Sequence, residues 1–195
     1  AGRVLMLFAM SLFLSAFLLF LVQPMIAKMV LPLLGGTPAV WNTCMLFFQV
    51  MLLAGYGYVH ALTTRFGICQ QVSAHLMLLC VPLVLLPVGV ASHWMVLDPD
   101  YPIAWLLGLL TLSVGLPFFV LSATAPLLQK WFASLDHPSA GDPYFLYAAS
   151  NVGSMLALLG YPVMIEPYFP LKNGQGFSQS WMWSLGYAGL LTLVS

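Results

Sequence analysis

Four polar side chains recur along one stretch of the chain, Asn42, Gln49, Tyr56 and His60, at spacings of 7, 7 and 4. Wound into a helix they share a face. A second set, Tyr144, Tyr147, Asn151 and Ser154, follows at 3, 4 and 3. Amides, phenols and an imidazole can donate and accept hydrogen bonds, and none of them carries a fixed charge. Two chemistries suit such faces. They could line a cavity and contact a substrate or cofactor, or bond to each other as glue between helices.

Three ionisable residues stand apart. Lys28 and Glu166 each end a long uncharged run, and Asp142 precedes another. A charge at depth in hydrocarbon marks a functional site by default, whereas a charge at a run's edge can snorkel to the interface. The four histidines are His60, His75, His93 and His137. His60 or His75 could ligate haem or chlorophyll, and the two could approach each other from neighbouring helices. No cofactor is expected beyond that, although lipid contact is. Cys44, Cys69 and Cys80 have no paired spacing and read as small hydrophobes. No phosphate loop, nucleophile elbow or metal motif occurs, so no catalytic residue is assigned and the chain reads as a non-enzyme.

The elements that must position these residues follow from composition. The chain has 195 residues, 62% hydrophobic and only 5% charged, with net charge +0. Soluble domains carry about 25% charged residues. This chain cannot cover itself with charge, which excludes a soluble enzyme, a nucleic-acid binder and a disordered linker. Ten charges divide it into six long uncharged runs. A span needs about 20 apolar residues, and lipid requires each span to satisfy its own backbone. The reading is an all-α polytopic membrane protein with about six transmembrane helices, near 4–27, 38–62, 71–90, 102–128, 143–165 and 181–195. Thr37 and Asp142, each ahead of a proline, read as N-caps. Pro24, Pro82, Pro87, Pro117 and Pro126 should kink their helices. Trp94, Trp105, Trp131, Trp181 and Trp183 lie near proposed ends, as interfacial anchors do. Lys and Arg in the loops favour a cytoplasmic N-terminus, with Arg3, Arg65 and Lys130 on that side. The last run stops in mid-pattern, so the native chain is expected to continue past Ser195.

An internal repeat is visible. Gly36-Thr37-Pro38 resembles Gly141-Asp142-Pro143, and Gly55-Tyr56 and Gly160-Tyr161 follow at the same distance. Two three-helix units, 1–100 and 101–195, would form a single membrane domain. A unit with an odd number of crossings must be inverted in its copy, giving a 3+3 inverted repeat like half of a major facilitator fold. On the fifth helix Ala149, Gly153 and Ala157 are spaced by four, which lets another helix, in this chain or another subunit, come close.

The stretch QPMIAKM (Gln23–Met29), continuing through LPLLGGTPAVWNTCMLFFQ (Leu31–Gln49), resembles the membrane portion of bacterial spermidine-synthase-like proteins, the fused major-facilitator/spermidine synthase family. DPYFLYAASNVGS (Asp142–Ser154), LLGYPVMIEP (Leu158–Pro167) and WSLGY (Trp183–Tyr187) carry the same likeness. The soluble aminopropyltransferase domain common in that family has no counterpart among these residues. The resemblance therefore implies the membrane half and transfers no catalytic residue. It implies a bacterial cytoplasmic (inner) membrane.

Three functional expectations stand. The first is a non-catalytic integral membrane subunit that scaffolds, or contacts lipid or pigment, among other membrane subunits of a larger complex. The second is a transporter half for polyamines or other small organic cations. The third is the membrane anchor of a spermidine-synthase-like enzyme domain beyond the chain end.

Overall fold

The computed structural model describes residues 2–88, 101–135, 143–169 and 178–195. These residues form helices and no strand. The helices are α1 (Gly2–Leu34), α2 (Pro38–Arg65), α3 (Ile68–Leu85), α4 (Pro102–Ala133), α5 (Tyr144–Tyr168) and α6 (Gln179–Val194). The first five are long and apolar enough to cross a membrane. Helix α6, at 16 residues, rises about 24 Å, short of a hydrocarbon core of about 30 Å.

The ends follow local chemistry. Helix α1 runs past the expected end near residue 27, with Pro24 and Pro32 inside it. It stops where Gly35 takes φ 76°, and the Gly35 N–H donates to the Leu31 carbonyl at 2.9 Å. A side chain would strain that left-handed cap. Helix α2 starts as the sequence requires, with the Val40 N–H donating to Thr37 Oγ1 at 3.5 Å ahead of Pro38. The corresponding reading at Asp142 lies outside the described residues. The prolines act unevenly. Pro82 falls where α3 tightens to 3₁₀ geometry from Val81, and Pro117 follows a π-helical turn, Thr111–Gly115. Pro24 and Pro126 lie within unbroken α-helix. A second π turn, Tyr161–Ile165, delivers the chain to Glu166.

Helix α1 is the centre of the bundle. It packs on α5 most extensively, and also on α4, α6 and α2. Leu12, Val22, Ile26 and Val30 are fully buried on it. The α1–α5 seam is made by the small residues. Gly153 lies against the Phe13 backbone, Ala157 is buried and Ala149 is half-buried. The close partner of that stripe is therefore α1 of the same chain. The two helices run parallel, since Gly153 meets Phe13 and Glu166 meets Lys28. Helices α2 and α4 also run parallel. Phe47 touches Gly115, and Gly55 lies against Ser122. Phe48 and Phe118 meet there at 4.8 Å between centroids.

The outer surface is apolar. Leu53, Met77, Val84, Leu159 and Val163 are among the large hydrophobic side chains left exposed. Isolated exposed apolar residues are ordinary, but a surface of them suits an apolar surrounding.

Candidate functional site

The two singled-out charges meet. Lys28 of α1 and Glu166 of α5 form an ion pair across 138 positions of sequence. The Lys28 ammonium also sits 5.9 Å from the centre of the Tyr161 ring. The Tyr161 hydroxyl donates to Gln179 Oε1 at 3.2 Å, and Gln179 Nε2 donates to the Phe169 carbonyl at 2.8 Å. A polar node thus ties α1, α5 and α6 together at one end of the bundle. The π turn presents both members of α5 to it, Tyr161 on its first residue and Glu166 just beyond its last. Lys28 and Glu166 remain 37% and 39% exposed on their side chains. Each neutralises the other, so the pair carries no net charge. Asp142 lies outside the described residues.

Of the two arrangements open to the polar faces, bonding to each other is not found among the described residues. Asn42, Gln49, Tyr56 and His60 are all exposed on α2. Tyr144, Tyr147 and Asn151 are exposed on α5, and Ser154 is half-buried with its hydroxyl on the Asn151 carbonyl at 2.9 Å. No hydrogen bond joins the two sets among the described residues, and α2 and α5 share no extended seam. The physical reason is visible on α2. Thr43, Cys44, Phe47, Phe48, Gly55, Val59 and Leu62 take the inward face, and the polar stripe falls on the other side of the helix. The repeated Gly-Tyr pairs also diverge. Gly55 is buried and Tyr56 exposed, whereas Tyr161 is buried and a Cβ on Gly160 would meet open space.

His60 and His75 sit in different surroundings. His60 is exposed near the end of α2, where its carbonyl accepts from the Thr64 hydroxyl at 2.8 Å. His75 is fully buried, with Nε2 3.1 Å from Thr124 Oγ1. Thr124 spends its only hydroxyl proton on the Val120 carbonyl at 2.8 Å. His75 must therefore donate from Nε2–H, which leaves Nδ1 as a bare lone pair, and Nδ1 has no bonding partner. Nε2 is engaged and the side chain has no exposed surface. His93 and His137 lie outside the described residues. No group of three or more His, Cys, Asp or Glu capable of holding a metal occurs among the described residues. Cys44 is buried, and Cys69 and Cys80 are exposed, all as free thiols.

Several working polar groups were not singled out by the sequence. Trp131 is no interfacial anchor. It is buried, and its indole N–H donates to Gln71 Oε1 at 3.0 Å. Trp183 is fully buried, with its N–H on the Leu18 carbonyl at 2.9 Å. The Tyr187 hydroxyl reaches the Leu79 carbonyl at 3.0 Å, where α3 is about to tighten. A signal existed for one of them. Gln71, His75 and Leu79 repeat every four residues and form the buried face of α3. Trp181 is exposed, and Trp94 lies outside the described residues.

Comparison with protein-family models, with curated proteins and with solved structures gave no match for this chain.

Proposed function

We propose that this chain is a non-catalytic integral membrane subunit, surrounded by lipid on much of its surface and packed against another membrane subunit through the outer faces of α2 and α5. One observation carries the reading. Seven of the eight side chains in the two polar sets are exposed, on helices long and apolar enough to lie in hydrocarbon. Polar groups there seek partners, each interhelical bond contributing about 0.6 kcal/mol on average. Among the described residues the seven exposed side chains make no hydrogen bond. Its own charged node is already neutral, which supports assembly over chemistry.

The bacterial inner membrane and a cytoplasmic N-terminus belong to the same proposal. Arg3 begins α1, Arg65 ends α2 and Lys130 lies near the end of α4. The parallel run of α2 and α4, with the short α1–α2 connection, supports placing all three at one end.

A second reading, a transporter half for polyamines or other organic cations, has one observation in its favour. The parallel seams α1–α5 and α2–α4 are the pair that a 3+3 inverted repeat would interchange. The pairing of Glu166 with Lys28 leaves no net negative charge there for a polycation. The membrane anchor of an enzyme domain outside these residues is compatible with either reading.

Purification in mild detergent separates them. A photo-crosslinker placed at Gln49 or Asn151 should capture a membrane polypeptide in stoichiometric yield, and one at Met77, exposed on α3, should capture far less. The combined Asn42→Leu, Gln49→Leu and Asn151→Leu variant should stay folded and lose the partner. A lone chain with no crosslinked product, able to load liposomes with spermidine, would replace the first reading with the second.

A further inference from the structure

A groove of about 340 Å³ opens between α1, α2 and α5. Phe20, Pro24 and Ala27 form its floor, Cys44 and Phe48 one wall, and Leu158 the other. No acidic or basic side chain lines it. From Phe20 to Ala27 the floor rises about 10 Å along α1. Pro24 has no N–H to return to the Phe20 carbonyl, so the helix gives up one hydrogen bond at the floor itself. Trp41, itself exposed, also lines it. One residue beyond the floor, on the same helix, lies Lys28 with Glu166.

We infer that this groove seats one acyl chain of a phospholipid with a zwitterionic headgroup, and that the Lys28–Glu166 pair holds that headgroup. The inference rests on the membrane reading above. Charge complementarity selects the ligand. An ammonium has three protons, and Lys28 directs one at Glu166, so others remain for a phosphate oxygen. Glu166 engages Lys28 through Oε1 and keeps Oε2 for an ammonium or choline group. A neutral pair repels neither half of a zwitterion and attracts both. A polyamine finds no carboxylate inside the groove, and its desolvation there would go uncompensated. Pockets of this size with an apolar body and a few polar groups at one end are ordinary ligand sites.

Native mass spectrometry of the detergent-purified chain tests the assignment. The expected result is one phosphatidylethanolamine or phosphatidylcholine retained through delipidating washes. Ala27→Trp and Leu158→Trp fill the groove and should lose it, whereas Val50→Trp, on the exposed side of α2, should keep it. Cys44 gives a readout on the unmutated chain. With lipid added back at about ten times its dissociation constant, alkylation of Cys44 by N-ethylmaleimide should slow about tenfold, and that of Cys69 and Cys80 should not change. A folded, detergent-dependent protein free of phospholipid would overturn the groove assignment and leave the membrane reading intact. So would lipid retained equally by the groove-filling variants, protection of Cys44 by spermidine instead, or a second copy seated on the groove. Solubility without detergent would instead remove the membrane reading itself.

Discussion

Gly153→Leu should separate α1 from α5 and cost more than about 3 kcal/mol, in the range that marks severe overpacking. A Cβ at this position overlaps the Phe13 carbonyl oxygen and lies 3.2 Å from its carbonyl carbon. The obstacle is backbone and cannot rotate aside. Lipid tails are as apolar as the helix surfaces, so the seam is held by close packing rather than by expulsion of water. Moving the helices apart removes that packing along their length. Gly153→Ala should show the same effect in smaller degree. Gly57→Ala on α2, where a Cβ meets nothing within 4 Å, should not destabilise and should gain up to about 1 kcal/mol of helix propensity. Thermal unfolding in detergent, followed by circular dichroism, gives all three values. A Gly153→Leu melting curve matching that of the unmutated chain would show that α1 and α5 do not meet at this point.

Trp183→Ala should cost about 3 kcal/mol. The side chain is fully buried and stacks on Tyr187 at 5.5 Å between centroids. Truncation leaves a cavity between α1 and α6 and strips the Leu18 carbonyl of the donor at 2.9 Å. Trp183→Phe keeps most of the volume and loses only the hydrogen bond, so it should cost about 1 kcal/mol. A ratio of roughly three between the two variants would assign most of the effect to packing. Equal costs would assign it to the bond. Unfolding in a graded series of denaturing detergent measures both on one scale.

The long helices were legible in the sequence because apolar runs need no tertiary information to be read. The meeting of Lys28 with Glu166 was half legible. Their positions at the ends of two runs marked both, but only the parallel packing of α1 on α5 brings them into contact across 138 positions. The small-residue stripe at Ala149, Gly153 and Ala157 pointed to a close helix without saying which. The direction of the polar faces was not legible. A shared helical face says nothing of what lies opposite it, and on α2 that depends on how Phe47 and Phe48 pack against α4. The tryptophans failed for a related reason. Trp131 and Trp183 sit near helix ends, as anchors do, yet each turns inward to satisfy a single acceptor, Gln71 Oε1 or the Leu18 carbonyl. Pro24 and Pro32 show that a proline's position does not reveal whether a helix stops there, since α1 continues through both.

Single spin labels placed in turn at Val152, Met155, Leu159 and Val163, in liposomes, test the central claim most directly. All four are exposed on α5. If the helix lies in hydrocarbon, each label should be relaxed strongly by oxygen and weakly by a water-soluble nickel chelate, with the contrast greatest near the middle of the helix. Labels open to the chelate along the whole of α5 would place this surface in water and contradict the account.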